Sequence, residues 1–407
     1  MPMNPSKADT MRRPGTASEV FGAFLILGLT SFGGPIAHIG YMREAFVRRR
    51  GWLDEAQFAQ LLAVCQFLPG PASSQLGFAI GLSRAGGWGA LAAFAGFTLP
   101  SALLMVGFAA VAPRLGGGIG AAALHGLKLV AVVVVAHGLL GMLRQLTPDA
   151  PRILIAAGAA ALVLVAGSAS AQLAAIALGG VLGLWWCRRL RAPSVASVPL
   201  RYGARGGAIC LALFVAGLAA AWSVPASEVP TAAGIASAFY RAGALVFGGG
   251  HVVLPLLQHG VVDTGWIDAD GFLAGYGAAQ AVPGPMFSLA AYLGAEIPIG
   301  APAGVGAAIA VFAVFAPGFV LLLAVLPVWA RLARHPLAAG AMAGVNAAVV
   351  GLLAAAFYDP VWTEGVQTPV DALIAAIGFA LLAFARVSSL WIVLGCVAAA
   401  VAAAALH

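Results

Sequence analysis

The sequence predicts an all-α polytopic membrane protein, built from two homologous inverted repeats with broken or re-entrant helices. Three observations lead there. Of 407 residues, 62% are hydrophobic and only 9% are charged. A soluble domain carries roughly 25% charged residues, so these charges cannot cover a water-facing surface. Next, a Gly/Pro-broken motif occurs twice. Gly51-Trp52-Leu53-Asp54, Phe58, Gln66-Phe67-Leu68-Pro69-Gly70-Pro71 and Ser74 return 214 residues later as Gly265-Trp266-Ile267-Asp268, Phe272, Gln280-Ala281-Val282-Pro283-Gly284-Pro285 and Ser288. Phe32-Gly33-Gly34 likewise returns as Phe247-Gly248-Gly249, at an offset of 215. Finally, the loop charges separate by sign when the broken elements are read as re-entrant. Duplicated breaks in an apolar chain are the pattern of a transporter, and the breaks mark where substrate binds.

The elements follow in chain order. Residues 1–18 carry Lys7, Arg12 and Arg13 without a signal-peptide cleavage pattern, and read as a cytoplasmic tail. A first repeat spans 19–187. Its stretches 19–50 and 56–82 are interrupted at Phe32-Gly33-Gly34-Pro35 and at Pro69-Gly70-Pro71. Each arm has about 12–15 residues, or ~18–22 Å as helix, too short for a ~30 Å hydrocarbon core. Such arms suit re-entrant hairpins, whose irregular backbone must be buried in protein or line a watery cavity. Apolar stretches at 88–112, 121–143, 153–167 and 171–187 read as crossings, the last two being short. Residues 188–231 form a basic linker (Arg188, Arg189, Arg191, Arg201, Arg205) and an extra crossing at 206–222. The second repeat, 232–407, has interrupted stretches at 234–262 and 270–295, then crossings at 301–330, 336–357, 369–385 and 388–406.

This plan has nine full crossings and four re-entrant elements. It puts 18 of the 21 basic residues on the N-terminal side, which the positive-inside rule assigns to the cytoplasm. Arg114 falls opposite, and Lys128 and Arg241 fall at membrane depth. The 43–50 loop holds four arginines, whereas its counterpart at 257–268 holds acidic charges. Equivalent loops therefore lie on opposite faces, and the extra crossing turns the second copy over. The re-entrant tips then meet near the midplane.

Several classes are excluded. The net charge of +7 sits mostly in short loops, where it reports orientation and not nucleic-acid binding. Cys65, Cys187, Cys210 and Cys396 are scattered without a CxxC, so no metal site, redox site or cofactor is expected. No nucleophile elbow, zinc spacing, P-loop or dinucleotide fingerprint appears, which argues against an enzyme or an ATP-driven pump.

The breaks carry the chemistry. Proline lacks an N–H and clashes with the preceding turn, so each Pro-Gly-Pro ends one helix and can start another. The new helix exposes its first N–H groups, and Gly70, Ser74, Gln75, Gly284 and Ser288 are the candidates for an anion site there. Gly33, Gly34, Gly248 and Gly249 form turns through which backbone can approach a ligand, or through which helices pack closely. Arg241 and Lys128 are cations inside apolar arms; such groups mark a substrate path unless they snorkel to an interface. Fixed cations and helix N-termini suit a small dianion. His38, His251, Glu19 and Glu296 are candidates for a coupling proton, against solvated or satisfied core roles. Trp52 and Trp266 read as interfacial, and Asp54 and Asp268 as helix N-caps.

Leu29-Thr30-Ser31-Phe32-Gly33-Gly34-Pro35, Gln66-Phe67-Leu68-Pro69-Gly70-Pro71, Phe97-Thr98-Leu99-Pro100-Ser101 and the second copies Phe247-Gly248-Gly249-Gly250-His251 and Val282-Pro283-Gly284-Pro285 resemble the chromate ion transporter family, in its long two-domain form. The resemblance covers about 18–400. It implies a bacterial inner-membrane protein that exports chromate, with sulfate as a look-alike anion, and halves of opposite orientation. One residue departs from it. The family often has a basic residue two positions before the Gly-Leu-Thr run, and here Ile26 stands there. Its second-half equivalent is Arg241. The rival readings are a sulfate or other oxyanion permease and an anion channel. The expected partners are the anion and the lipid bilayer, with a homodimer left open.

Overall fold

The computed structural model describes residues 15–115, 117–187, 202–225, 227–247, 250–332, 335–385 and 387–405. Residues 1–14 of the 1–18 tail and residues 188–201 of the basic linker lie outside them. Among the described residues every regular element is a helix. The first half comprises α1 (Ala17–Thr30), α2 (Gly34–Arg43), α3 (Glu55–Phe67), α4 (Ala72–Val111), α5 (Ile119–Leu146), α6 (Ala150–Ala166) and α7 (Ala169–Trp186). α8 (Ala204–Ser223) connects to the second half. There follow α9 (Ala232–Leu245), α10 (Val253–Val261), α11 (Ala269–Ala279), α12 (Leu289–Glu296), α13 (Ala303–Val325), α14 (Pro336–Ala356), α15 (Pro369–Ala383) and α16 (Ser389–Ala405).

The expected breaks are present in the backbone. α1 stops at Ser31, and Gly33 (φ 102°) and Gly34 (φ 76°) reverse the chain into α2. α3 stops at Leu68, and Pro71 caps α4. A second break falls inside α4, at Ala85 (φ −135°) and Gly86 (φ 68°), so 72–84 is a returning arm and 87–111 a long limb. In the second half these two pieces are the separate helices α12 and α13, with Gly300 (φ 72°) where the first half has Gly86.

Side-chain contacts establish the hairpins. Gly15 N–H donates to Arg84 O at 3.1 Å, and the Arg84 guanidinium meets Glu19 at 3.2 Å. Arg84 also lies 5.2 Å from the Trp52 ring, which stacks on Phe46 at 4.7 Å. Residues 15–19, 46–52 and 84 therefore share one end of the molecule, and both broken elements of the first half enter and return there. At the second half's base, Trp266 Nε1 donates to Ser227 O at 2.9 Å and the Tyr292 hydroxyl donates to Gly271 O at 3.1 Å.

The long limb of α4 shows that these bases lie at opposite ends. It leaves the Arg84 end and runs along α1. Midway, Phe97 and Ser101 flank Gly284; near its far end, Phe108 lies 5.4 Å from Tyr292. The two hairpin pairs thus approach each other from opposite ends and meet halfway, as inverted repeats do.

Five of the described helical stretches are long and apolar enough to cross a membrane: 72–115, 119–146, 204–223, 303–332 and 337–365. α6, α7, α15 and α16 are apolar, but at 15–18 residues they reach roughly 22–27 Å. The nine expected crossings thus divide into five long spans and four short ones.

The halves exchange their last two helices. α5 of the first half packs against α15 and α16 of the second, while α14 of the second packs against α6 and α7 of the first. Small residues permit this: Gly179 and Gly183 of α7 meet Gly344 of α14 backbone to backbone.

Local capping matches the sequence reading. The Asp54 side chain accepts from Gln57 N–H, and Gln57 reaches back to Asp54 N–H, closing a capping box at the start of α3. Asp54→Ala is expected to lower stability by about 1 kcal/mol, read as a lower melting temperature in detergent. An unchanged melting temperature would show that the box does not hold α3.

Candidate functional site

The four tips interlock by a reciprocal exchange. Gly70 N–H, in the first Pro-Gly-Pro, donates to Val246 O at 2.6 Å in the second half's Gly-turn break. Gly284 N–H, in the second Pro-Gly-Pro, donates to Ser31 O at 2.9 Å in the first half's break. These pairs are equivalent under the repeat, because 70 maps to 284 and 31 to 246. The junction is therefore a pseudo-two-fold contact, with the same surfaces used on both sides. Glycine is required here. Gly70 (φ 123°) and Gly284 (φ 102°) lie in the left-handed region, and each amide approaches a foreign carbonyl.

Buried polar atoms without a hydrogen-bond partner cluster at this junction. They include Ser31 Oγ, His38 Nδ1, Ser74 Oγ, Gln75 Oε1, Thr98 Oγ1, Gln280 Nε2 and Ser288 Oγ. Most buried polar groups in folded proteins are paired, so this concentration makes the junction the candidate site. No buried carboxylate opposes an anion here: the buried acid among the described residues is Asp371, which is bonded to His125.

Each sequence candidate now has a place. Gly33, Gly34, Gly70, Ser74, Gln75, Gly284 and Ser288 lie at the junction. Gly248 and Gly249 lie outside the described residues. Gln75 differs from its expected role as an anion donor, because its Nε2 already donates to Pro69 O and Gly318 O, both at 2.9 Å. What it leaves unpaired is an acceptor.

Lys128 is apart from the tips. Its Nζ donates to Asp270 Oδ1 at 2.8 Å, in the first turn of α11. The lysine side chain is 8% exposed and the aspartate 63%.

Arg241 lines a cavity of about 180 Å³ between α8, α9 and α10. This cavity runs along α9 from Gly234 to Leu245, the residue before Val246. Ser237, Gln172 and Thr264 add polar groups to its wall, and Trp222 and Trp266 frame its outer part. Among the described residues no carboxylate pairs with Arg241. The departure at Ile26 has a structural explanation. α8 packs on α9 and walls the cavity, but no described helix stands in the equivalent place beside α1. Ile26 is 57% exposed on that bare face, where an arginine would face lipid.

The coupling candidates separate as well. Glu19 is paired with Arg84. His38 Nε2 lies 3.2 Å from Ser31 O, within the junction. His251 Nδ1 is 2.7 Å from the Tyr276 hydroxyl. Ser31, Thr98 and Gln280 carry unpartnered polar atoms at the junction and were not among the sequence candidates. The signal was available: each is a polar residue in an apolar run, Ser31 and Gln280 beside a break and Thr98 in the Phe97-Thr98-Leu99-Pro100-Ser101 motif.

Comparisons with known proteins agree with this architecture. The profile of the chromate transporter family matches residues 18–184 and again 233–402. A probable chromate transport protein of Synechococcus elongatus is 30% identical, over 82% of this chain and 81% of its own. The chromate transport protein of Pseudomonas aeruginosa is 28% identical over 87% and 85%. That of Cupriavidus metallidurans is 27% identical over 93% and 91%. No solved structure matches the chain.

Proposed function

We propose, from the premise that this chain belongs to the chromate transporter family, that it exports chromate across the bacterial inner membrane by alternating access and so confers chromate resistance. The carrying observation is the junction itself. Two helix-starting tips each engage a carbonyl of the other half through a glycine amide, and unpartnered hydroxyls surround them at the meeting point of two inverted halves. Amide and hydroxyl donors with no opposing carboxylate suit a small tetrahedral dianion. Rocking of one half against the other exposes the junction to each side in turn.

Orientation follows from charge. The first half's base is rich in arginine (Arg43, Arg48, Arg49, Arg50, Arg84) and the second half's is acidic (Asp263, Asp268, Asp270). With the basic base in the cytoplasm, the N-terminus is cytoplasmic and the Arg241 cavity opens outward. Arg241 then receives the anion on its way out. An inside-negative potential favours this direction by about 2.3 kcal/mol per charge per 100 mV, hence about 4.6 kcal/mol for a dianion. Sulfate, with the same shape and charge, is the expected competitor.

Reconstituted vesicles of defined orientation test the reading. Chromate leaves the cytoplasmic side faster under an inside-negative potential, and sulfate slows it. Flux indifferent to the potential would sink net dianion movement. Arg241→Ala is expected to reduce the initial rate roughly 10-fold or more, and Arg241→Lys to retain part of it. A wild-type rate in Arg241→Ala would remove the cavity from the path.

A further inference from the structure

The repeats are symmetric in backbone but not in the polar groups around their tips. At the Pro283-Gly284-Pro285 tip, the unpartnered buried groups are four donors, Ser31 Oγ, Thr98 Oγ1, Gln280 Nε2 and Ser288 Oγ, and one acceptor, His38 Nδ1. Ser31 belongs here because its carbonyl holds Gly284 N–H, and His38 because its Nε2 reaches that same carbonyl. Thr98 lies on the α4 turn whose Phe97 and Ser101 flank Gly284, and Ser101 Oγ donates to Thr98 O at 2.9 Å. Gln280 caps α11 just before the tip, and Ser288 lies in the turn just after it.

The opposite tip, Pro69-Gly70-Pro71, is built otherwise. The repeat puts Val246 where the first tip has Ser31, and the matched contacts of the two long limbs put Phe315 in place of Thr98 and Gly318 in place of Ser101. Gln66, the counterpart of Gln280, is exposed. Gln75, whose counterpart is Leu289, fills the space beside Gly70 with its amide and ties Pro69 O to Gly318 O. Ser74 Oγ and Gln75 Oε1 remain unpaired there, so this tip offers one free donor where the other offers four.

We infer that the transporter has one oxyanion subsite, not two. It lies at the Pro283-Gly284-Pro285 tip, with Ser31, Thr98, Ser288 and Gln280 as the groups that bind a tetrahedral dianion, while the Pro69-Gly70-Pro71 tip is plugged by Gln75. The inference rests on the functional reading above and assigns its binding residues. Each side chain named is nine-tenths or more buried, so its donor has no water to satisfy it. A bound oxyanion supplies several acceptor oxygens at once. An ion held by the Gly284 amide must also displace Ser31 O from it, which couples occupancy to release of the interlock.

The test compares Ser31→Ala and Thr98→Val with Ser74→Ala, using the full chain in detergent and in vesicles. Chromate and sulfate are the probes, and binding is read from the rise in melting temperature with ligand. The first two variants are expected to weaken binding about 10- to 100-fold, the value of a hydrogen bond to a charged group. Ser74→Ala is expected to stay near wild type. Without ligand, all three should melt as the wild type does, since an unpartnered buried hydroxyl contributes no bond to the fold. A lowered ligand-free melting temperature in Ser31→Ala or Thr98→Val would mark those hydroxyls as structural and overturn the assignment. Wild-type affinity in both, or an equal loss in Ser74→Ala, would overturn the single subsite and leave the transport function standing. A wild-type chain that neither binds nor moves chromate would overturn both.

Discussion

Gly284→Ala is expected to reduce chromate flux to the level of protein-free vesicles. Gly284 has φ 102°, where an L-residue is strained by about 1–3 kcal/mol. An added Cβ would lie 2.9 Å from Ser101 Oγ and 3.1 Å from Phe97 O. Phe97 O is helix backbone and cannot yield without moving α4, so overpacking adds about 1–3 kcal/mol. The tip has to shift, and the bond from Gly284 N–H to Ser31 O goes with it. Gly70→Ala meets the same obstacle, with Gln75 Nε2 at 2.8 Å and Gly318 Cα at 3.0 Å. Gly22→Ala and Gly40→Ala are the controls. Both lie inside helices with no neighbouring atom within 4 Å, and alanine there is neutral or stabilising by up to about 1 kcal/mol. Wild-type flux through Gly284→Ala would mean that the junction is not on the transport path.

The second large effect concerns Lys128. Asp270→Asn leaves a buried ammonium without its counter-charge. A fully buried pair broken this way costs about 3–5 kcal/mol, but Asp270 is mostly exposed, and solvent brings the expected loss nearer 1–3 kcal/mol. Lys128→Met removes the buried charge itself and is expected to cost less. The double variant Lys128→Met, Asp270→Asn should recover most of the melting temperature lost in Asp270→Asn, and with it the flux. That recovery would identify Lys128 as the brace of α11's first turn. A stable double variant without flux would instead return Lys128 to the substrate path.

The architecture was legible because its signals are local and repeated. The Pro-Gly-Pro and Gly-Gly breaks interrupt helices wherever they occur, and the 214-residue offset shows that the interruption belongs to the fold. Loop charge was enough to orient the copies, and the α4 limb bears out that inversion through its contacts at both ends. Partners of single side chains were much less legible. Lys128 looked like a free cation because Asp270 is 142 residues away and reaches it only once α11 packs on α5. Gln75 looked like a donor because nothing nearby in sequence announces Gly318 as its acceptor. Ile26 looked like a loss because its exposure depends on a neighbour that only the second half has. Ser31 and Thr98 were in view as parts of motifs, but their importance lies in what they fail to bond, which only packing reveals.

The exchanged terminal helices bear on how this chain unfolds. Because α6 and α7 lean on α14 while α15 and α16 lean on α5, neither half keeps its terminal helices packed when the other melts. Heating should therefore give one cooperative transition rather than two, despite the duplicated ancestry. A polypeptide severed between Trp186 and Ala204 should regain shape only when both fragments are synthesised together.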